Sequence, residues 1–188
     1  MTSPTTQIER VAFRRGAFAD EPPRERPDSP PKSYGVPRKG GTFIEWRDVL
    51  ERLRTASGYW LATVTPGGRP HVVPIWGVVV GDDLFLETGA PGTIKNRNLA
   101  VHKEIAVHLD GVDDVVLVRG LATPAVPDAD LGAAMAAAFH EKYPGYEPGP
   151  TDWDEGGLIR IEPATLLAWR EMPTATRWRF GGAAARRA

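Results

Sequence analysis

WLATVTPGGRPHVVPIWG, residues 60–77, sets two runs of β-formers on either side of a Pro-Gly-Gly turn. That is the pattern of a β-hairpin. The second run carries Pro74, which has no backbone N–H to donate and belongs on an edge strand or at a bulge. Strand side chains alternate faces, so Val72, Pro74 and Trp76 share one face and His71, Val73, Ile75 and Gly77 the other. A flat ring could lie against such an edge, using its free backbone groups and the apolar surface of Trp76. A plain barrel rim with a half-buried tryptophan would show the same pattern.

Before the hairpin, TFIEWRDVLERLRT (residues 42–55) places Ile44 or Trp46, Val49, Leu50 and Leu53 at helical spacing, with Thr42 as N-cap. After it, HVVPIWGVVV reads as one second strand and DDLFLETG as a third, making a meander. EIAVHLD and DDVVLVRGLATPAV are strands four and five, GLIRIEPATLLAWR is strand six, and TRWRF is a short final strand. DADLGAAMAAAFHEKY is the clearest helix, capped by Asp128 and burying Leu131, Met135, Ala138 and Phe139. Six to seven antiparallel strands with few helices predict a mainly β fold, a closed or nearly closed barrel.

The 188 residues suit one domain over 41–180. Residues 1–40 are rich in proline and charge and read as a flexible or extended arm, and residues 181–188 as a frayed tail. The net charge of -1 gives no bulk attraction for nucleic acid or a membrane surface. No run is apolar enough to span a membrane, and no signal-peptide block opens the chain, so a cytoplasmic protein is expected. The absence of cysteine removes disulfides, thiolate nucleophiles and cysteine-based metal sites, so redox chemistry would need a borrowed cofactor. His71, His102, His108 and His140 form no metal-binding pair, and no serine sits in a nucleophile elbow.

ETGAPGTIKNRNL, residues 87–99, is the most informative segment for chemistry. A strand ends at Thr88-Gly89, a Pro-Gly turn follows, and a helix begins near Thr93. Orphan N–H groups at a helix start attract an anion. Lys95 and Asn98, three apart, share a helix face, so Thr88, Thr93, Lys95 and Asn98 could converge on one phosphate. A solvated, capped connector helix fits the spacing equally well. The segment is neither a Walker loop nor a dinucleotide fingerprint. The long loop at residues 144–157 holds Tyr146 and Trp153 and is either a lid or a passive surface loop.

Taken in order, the hairpin, LFLETG, the K-x-R-N-L of Lys95 to Leu99, DDVVLVRGLA and TRWRF resemble the pyridoxamine 5′-phosphate oxidase-like family of flavin-binding split β-barrels. They are most similar to its actinobacterial branch that uses the deazaflavin coenzyme F-420. The resemblance covers roughly residues 44–180. It implies a homodimer with two cofactor sites at the subunit interface. It also implies a cofactor phosphate at the turn holding Thr88, Gly89, Thr93, Lys95 and Asn98. The flavin-like ring would lie along Val72, Pro74, Ile75 and Trp76, with Arg177 and Trp178 of the C-terminal segment close by. The basic set that binds substrate phosphate in true pyridoxamine phosphate oxidases is missing, which argues against that substrate.

The function implied is hydride transfer between reduced coenzyme F-420 and a small organic acceptor such as an enone, imine or quinone-like compound. An FMN-dependent oxidase or reductase is the alternative on the same fold. FMN ends at its phosphate, whereas coenzyme F-420 continues into an anionic tail that Lys95, Arg97 and Lys103 could meet. A non-catalytic cofactor-binding or storage protein is a third reading. Haem degradation is a weak fourth, because no histidine stands in an axial-ligand context.

Overall fold

A computed structural model of the protein describes residues 10–28 and 32–181. The expected tail beyond Gly181 lies outside the described residues, as do residues 1–9 and 29–31. The elements begin with two short strands, β1 (Arg10–Val11) and β2 (Arg24–Glu25), followed by helix α1 (Trp46–Thr55). The hairpin is β3 (Tyr59–Val64) with β4 (Pro70–Ile75). Next come β5 (Gly77–Val80), β6 (Asp83–Glu87), α2 (Ile94–Val101) and β7 (Glu104–His108). The chain closes with β8 (Val115–Pro127), α3 (Ala129–Lys142), β9 (Leu158–Trp169) and β10 (Thr176–Arg179).

The fold is mainly β and antiparallel, a split barrel, as the sequence leads one to expect. The main path of the sheet runs β2-β10-β9-β8-β7-β3-β4. The long strand β9 causes the split. One side of it pairs with β8 along nearly its whole length. The other side is shared: β6 takes Leu158–Arg160 and β10 takes Thr165–Ala168. Between these two stretches β9 holds Pro163, which cannot donate to a ladder, and the register with β8 shifts there, Arg119 facing Thr165 and Gly120 facing Pro163 so that Ala164 is the extra residue.

The stretch HVVPIWGVVV departs from the expected single strand. It is two strands, β4 pairing with β3 and β5 pairing with β6, with the break at Trp76. Alternation continues through the break: Ile75 and Gly77 are buried, while Val72, Pro74 and Trp76 are exposed. Gly77 is required there, because a Cβ would sit 2.5 Å from the Phe85 carbonyl oxygen and the Leu86 side chain. The chain therefore leaves one pairing and joins another within a single residue, and Trp76 is turned outward at the crossing. This correction to the meander raises the strand count without changing the fold class. Pro74 lies opposite Trp60 on the edge strand β4, where its missing donor costs no ladder bond.

Helix α1 starts three residues later than expected, with Glu45 rather than Thr42 as N-cap, and buries Trp46, Val49 and Leu53. Helix α2 is capped by Thr93, whose hydroxyl accepts from the Asn96 amide. Helix α3 is capped by Asp128 and buries Leu131, Met135 and Phe139 as predicted. Side chains such as Leu61, Leu86, Val118, Ile161 and Leu166 fill the barrel. A second cluster beneath α3 joins Val78, Phe85, Met135, Phe139 and Trp153. Each such aliphatic or aromatic burial contributes about 1.5–3 kcal/mol.

Residues 10–28 lie extended along the barrel. β1 pairs in parallel with the end of β8, and β2 pairs with β10. Their order comes from the surfaces they meet: Phe18 is fully buried against Trp46 and Phe180. At Gly16 the backbone approaches Asp82 so closely that a Cβ would lie 2.2 Å from its carbonyl carbon.

Candidate functional site

The edge of the sheet at β4 opens into a cleft of about 600 Å³. That volume lies within the range typical of small-molecule sites, roughly 300–1,000 Å³. Three strand ends and a helix start meet there. The beginning of β3 contributes Tyr59 and Trp60, and the end of β4 contributes Pro74, Ile75 and Trp76. The turn after β6 contributes Glu87, Thr88 and Gly89, and the first turn of α2 contributes Thr93 and Lys95. Asp110 and Tyr146 complete the wall from two loops.

Trp76 is 48 % exposed. One face of its indole stacks on Tyr143, with ring centres 4.6 Å apart and planes 15° apart. Tyr143 is itself fixed by two bonds to Gly77, its hydroxyl donating to the carbonyl and accepting from the amide at 2.9 Å each. The indole is thus backed by a rigid ring and presents flat surface outward. Pro74 and Trp60 extend that apolar shelf along β4 and β3.

At the other end, Thr88 is buried and held by its amide to the Gly157 carbonyl at 2.7 Å. Gly89 has a φ of 64°, a conformation other residues adopt at a cost, so the turn from β6 into α2 depends on it. The turn delivers the start of α2 into the cleft beside Lys95, with the Thr93 amide donating to the Ala90 carbonyl and the Asn96 amide to the Thr93 hydroxyl. The remaining amides of such a helix start can donate to an anion.

The structure brings together Pro74, Ile75, Trp76, Thr88, Gly89, Thr93 and Lys95 from the residues expected in the site. It does not bring in the other four. Asn98 is turned inward, 1 % exposed, and donates to the Thr63 hydroxyl at 2.9 Å. Its place on α2 ties the helix to β3, and a phosphate at Lys95 would not meet it. Val72 lies on the exposed face of β4 but outside the cleft wall. Trp178 is fully buried against Trp46, ring centres 5.4 Å apart, with its indole N–H donating to Glu21. Arg177 is engaged with the N-terminal segment, its Nε donating to Glu25 at 2.8 Å and its Nη2 to Asp28 at 2.7 Å. The Asp28 carboxylate holds this guanidinium above its ordinary pKa.

Sequence reasoning passed over Trp60, Glu87 and Asp110 as wall residues. Glu87 stood inside the informative segment, but only the folded chain shows that its side chain meets the loop. There Tyr146 donates to Glu87 Oε1 at 2.6 Å, and its ring leans on Trp76 at 5.4 Å. Burial, then this bond to a carboxylate, raises the Tyr146 pKa, so its hydroxyl stays protonated at neutral pH. Of the two aromatic residues in the loop, Tyr146 reaches the cleft. Trp153 does not: it is 2 % exposed and packs on Phe139, where it anchors the loop to α3. Behind the wall, Lys142 donates to the Tyr59 hydroxyl at 2.9 Å, and burial lowers its pKa to about 8.

Residues 45–170 match the profile of the family described as Pyridoxamine 5'-phosphate oxidase. Among solved structures, the chain is similar to the conserved hypothetical protein Rv2991 from Mycobacterium tuberculosis. That likeness has a TM-score of 0.59 and 18 % identity over 74 % of this chain and 92 % of that one. A putative 5-nitroimidazole antibiotic resistance protein from Bacteroides thetaiotaomicron follows at TM-score 0.54 and 12 % identity, over 74 % and 89 % of the two chains. A heme binding protein from Mycobacterium smegmatis matches at TM-score 0.51 and 18 % identity, over 70 % and 57 %. At such identities these likenesses establish the fold alone. A comparison with curated proteins returns no match.

Proposed function

The chain belongs to the pyridoxamine 5'-phosphate oxidase family, and on that premise we propose that it is an oxidoreductase using the deazaflavin coenzyme F-420 to reduce a small organic acceptor. One observation carries the reading: a flat, rigidly backed apolar shelf and an anion-accepting helix start share one cleft. A ring attached to a phosphate needs both, at opposite ends. Trp76 and Pro74 would hold the ring, and Thr93, Lys95 and the α2 amides the phosphate. Gly89 fits this use, since the space where its Cβ would point is open. Arg97, exposed on the same helix outside the cleft, is available to an anionic tail.

Bound there, the deazaflavin supplies a hydride. The chain's residues orient and shield. Trp76, fixed by Tyr143, sets the plane in which a ring can lie, and Tyr146 closes the side of the cleft against water. A second subunit would complete the open side, a reading supported by the exposed Val72 and Ile94 on the neighbouring parts of β4 and α2. Sedimentation of the purified protein at twice the monomer mass is the expected result.

FMN is the second reading, and one feature favours it. Lys95 is the only cation lining the cleft among the described residues, which suits a ligand that ends at its phosphate. A paired titration of purified protein with coenzyme F-420 and with FMN, followed by cofactor fluorescence, separates the two. Tighter binding of coenzyme F-420 supports the deazaflavin enzyme, and tighter binding of FMN replaces it with the second reading. Binding without oxidation of the reduced cofactor by any acceptor across a broad panel would indicate storage.

A further inference from the structure

With Lys95 committed to a phosphate, the charges left on the cleft wall are both negative: Glu87 and Asp110. They are accompanied by aromatic faces, Trp76, Trp60 and Tyr146. Glu87 is positioned from two directions. Its amide donates to the Trp76 carbonyl at 2.9 Å, and its Oε1 accepts from Tyr146 at 2.6 Å. Among the described residues no side chain donates to its Oε2. Tyr146, which holds Glu87, also leans on Trp76 with ring centres 5.4 Å apart, so the carboxylate is fixed among aromatic rings. With Trp76 given to the cofactor ring, Glu87 and Asp110 beside Trp60 and Tyr146 leave a wall suited to positive charge. The negative faces of aromatic rings and a carboxylate both attract a cation, and a partly desolvated cation–π contact is worth about 0.5–2 kcal/mol.

We propose that this acidic and aromatic half of the cleft binds an organic cation, and that the acceptor reduced by the protein is an iminium or N-alkylated heteroaromatic cation. The substrate class rests on the oxidoreductase reading above; the cation preference of the wall does not. The chemistry is consistent with the residues present. A C=N⁺ acceptor takes the hydride on carbon while the π pair moves to nitrogen, leaving a neutral amine, with the reduced deazaflavin as hydride source. The acceptor consumes no proton, so no acid is required of the chain, and the ring N–H proton that the deazaflavin gives up on becoming oxidised leaves to solvent. That matches a wall whose hydroxyl, Tyr146, keeps its proton while donating a hydrogen bond to Glu87 and is pushed up rather than down in pKa. An anionic acceptor would face two carboxylates and is disfavoured.

The test is calorimetric and uses the protein without added cofactor. The probes are 1-methylnicotinamide, a flat cation, and its neutral isostere 3-methylbenzamide. The cation is expected to bind at least tenfold tighter. Glu87→Gln should bring it to within about twofold of the amide while leaving the amide unchanged, and Asp110→Asn, on an exposed loop, should lower the cation alone by a smaller factor. Thermal unfolding checks that Glu87→Gln is folded; if it is not, the Asp110→Asn result decides. Equal affinity for the two probes, binding of neither, or a preference for the cation that survives in the carboxylate variants would overturn the proposal. A protein that binds the cation yet fails to bind coenzyme F-420 or FMN would keep the cation site and remove the oxidoreductase reading.

Discussion

Trp76 and Trp178 both stand in runs of β-formers that the family resemblance sets near the cofactor, yet one is 48 % exposed and the other fully buried. The difference lies in what covers each strand. β10 is flanked on one side by β9 and on the other by β2, and the N-terminal segment lays Phe18 over the same aromatic cluster. Among the described residues β4 is paired only with β3. An aromatic residue on a covered strand holds the fold together, and one on an open edge is available to a ligand. The same comparison separates the cations: Arg177 clamps the arm through Glu25 and Asp28, while Lys95 faces the cleft.

Substitutions can break this contrast in order of expected effect. Trp178→Ala should cost about 3–5 kcal/mol in chemical denaturation, as large buried aromatics do, with cofactor affinity of the folded fraction unchanged. Arg177→Ala removes charge-assisted bonds to Glu25 and Asp28 and should lower the denaturation midpoint by less than Trp178→Ala does. Limited proteolysis should then cut between residues 20 and 40 faster than in the parent protein. Trp76→Ala should leave stability within about 1 kcal/mol. It should instead weaken cofactor binding about 2–10-fold in a fluorescence titration, the size of one aromatic contact. A denaturation result for Trp76→Ala as large as that for Trp178→Ala would end the distinction.

The smallest effect expected is on pH dependence. Burial lowers the Lys142 pKa to about 8, below its unfolded value, so between pH 8 and 10 the unfolded chain binds a proton that the folded chain does not. Stability therefore rises with pH across that window. Above pH 10 the raised pKa of buried Tyr59 opposes the rise, because the unfolded chain then releases a proton that the folded chain keeps. Lys142→Met should flatten the increase between pH 8 and 10, measured by urea midpoints at a series of pH values.

Local patterns carried most of the fold. Alternation marked β3, β7 and β9, and the caps Thr93 and Asp128 marked where α2 and α3 begin, because each signal is contained within one turn or one strand. The break at Trp76 was hidden because β4 and β5 read as one apolar run; their separation depends on β6 claiming Gly77–Val80, a pairing made through long-range registry. The anion end of the cleft was legible in GTIKN, since a turn, a cap and a lysine are local. Asn98 was not, since its partner Thr63 is 35 residues away. Helix spacing showed that Lys95 and Asn98 are neighbours but not which side of α2 the barrel would cover. The pairing of Glu87 with Tyr146 joins a strand end to a loop 59 residues later, and no periodicity announces it.

The central claim is that the cofactor phosphate is taken at the start of α2 and not by the basic C-terminal strand. Fluorescence titration of coenzyme F-420 into the parent protein, Lys95→Ala and Arg177→Ala tests it side by side. The account predicts at least a tenfold loss of affinity in Lys95→Ala, in line with the roughly 1.5–3 kcal/mol of a charge-assisted hydrogen bond, and a change within about twofold in Arg177→Ala. Unchanged binding in Lys95→Ala together with loss in Arg177→Ala would contradict it.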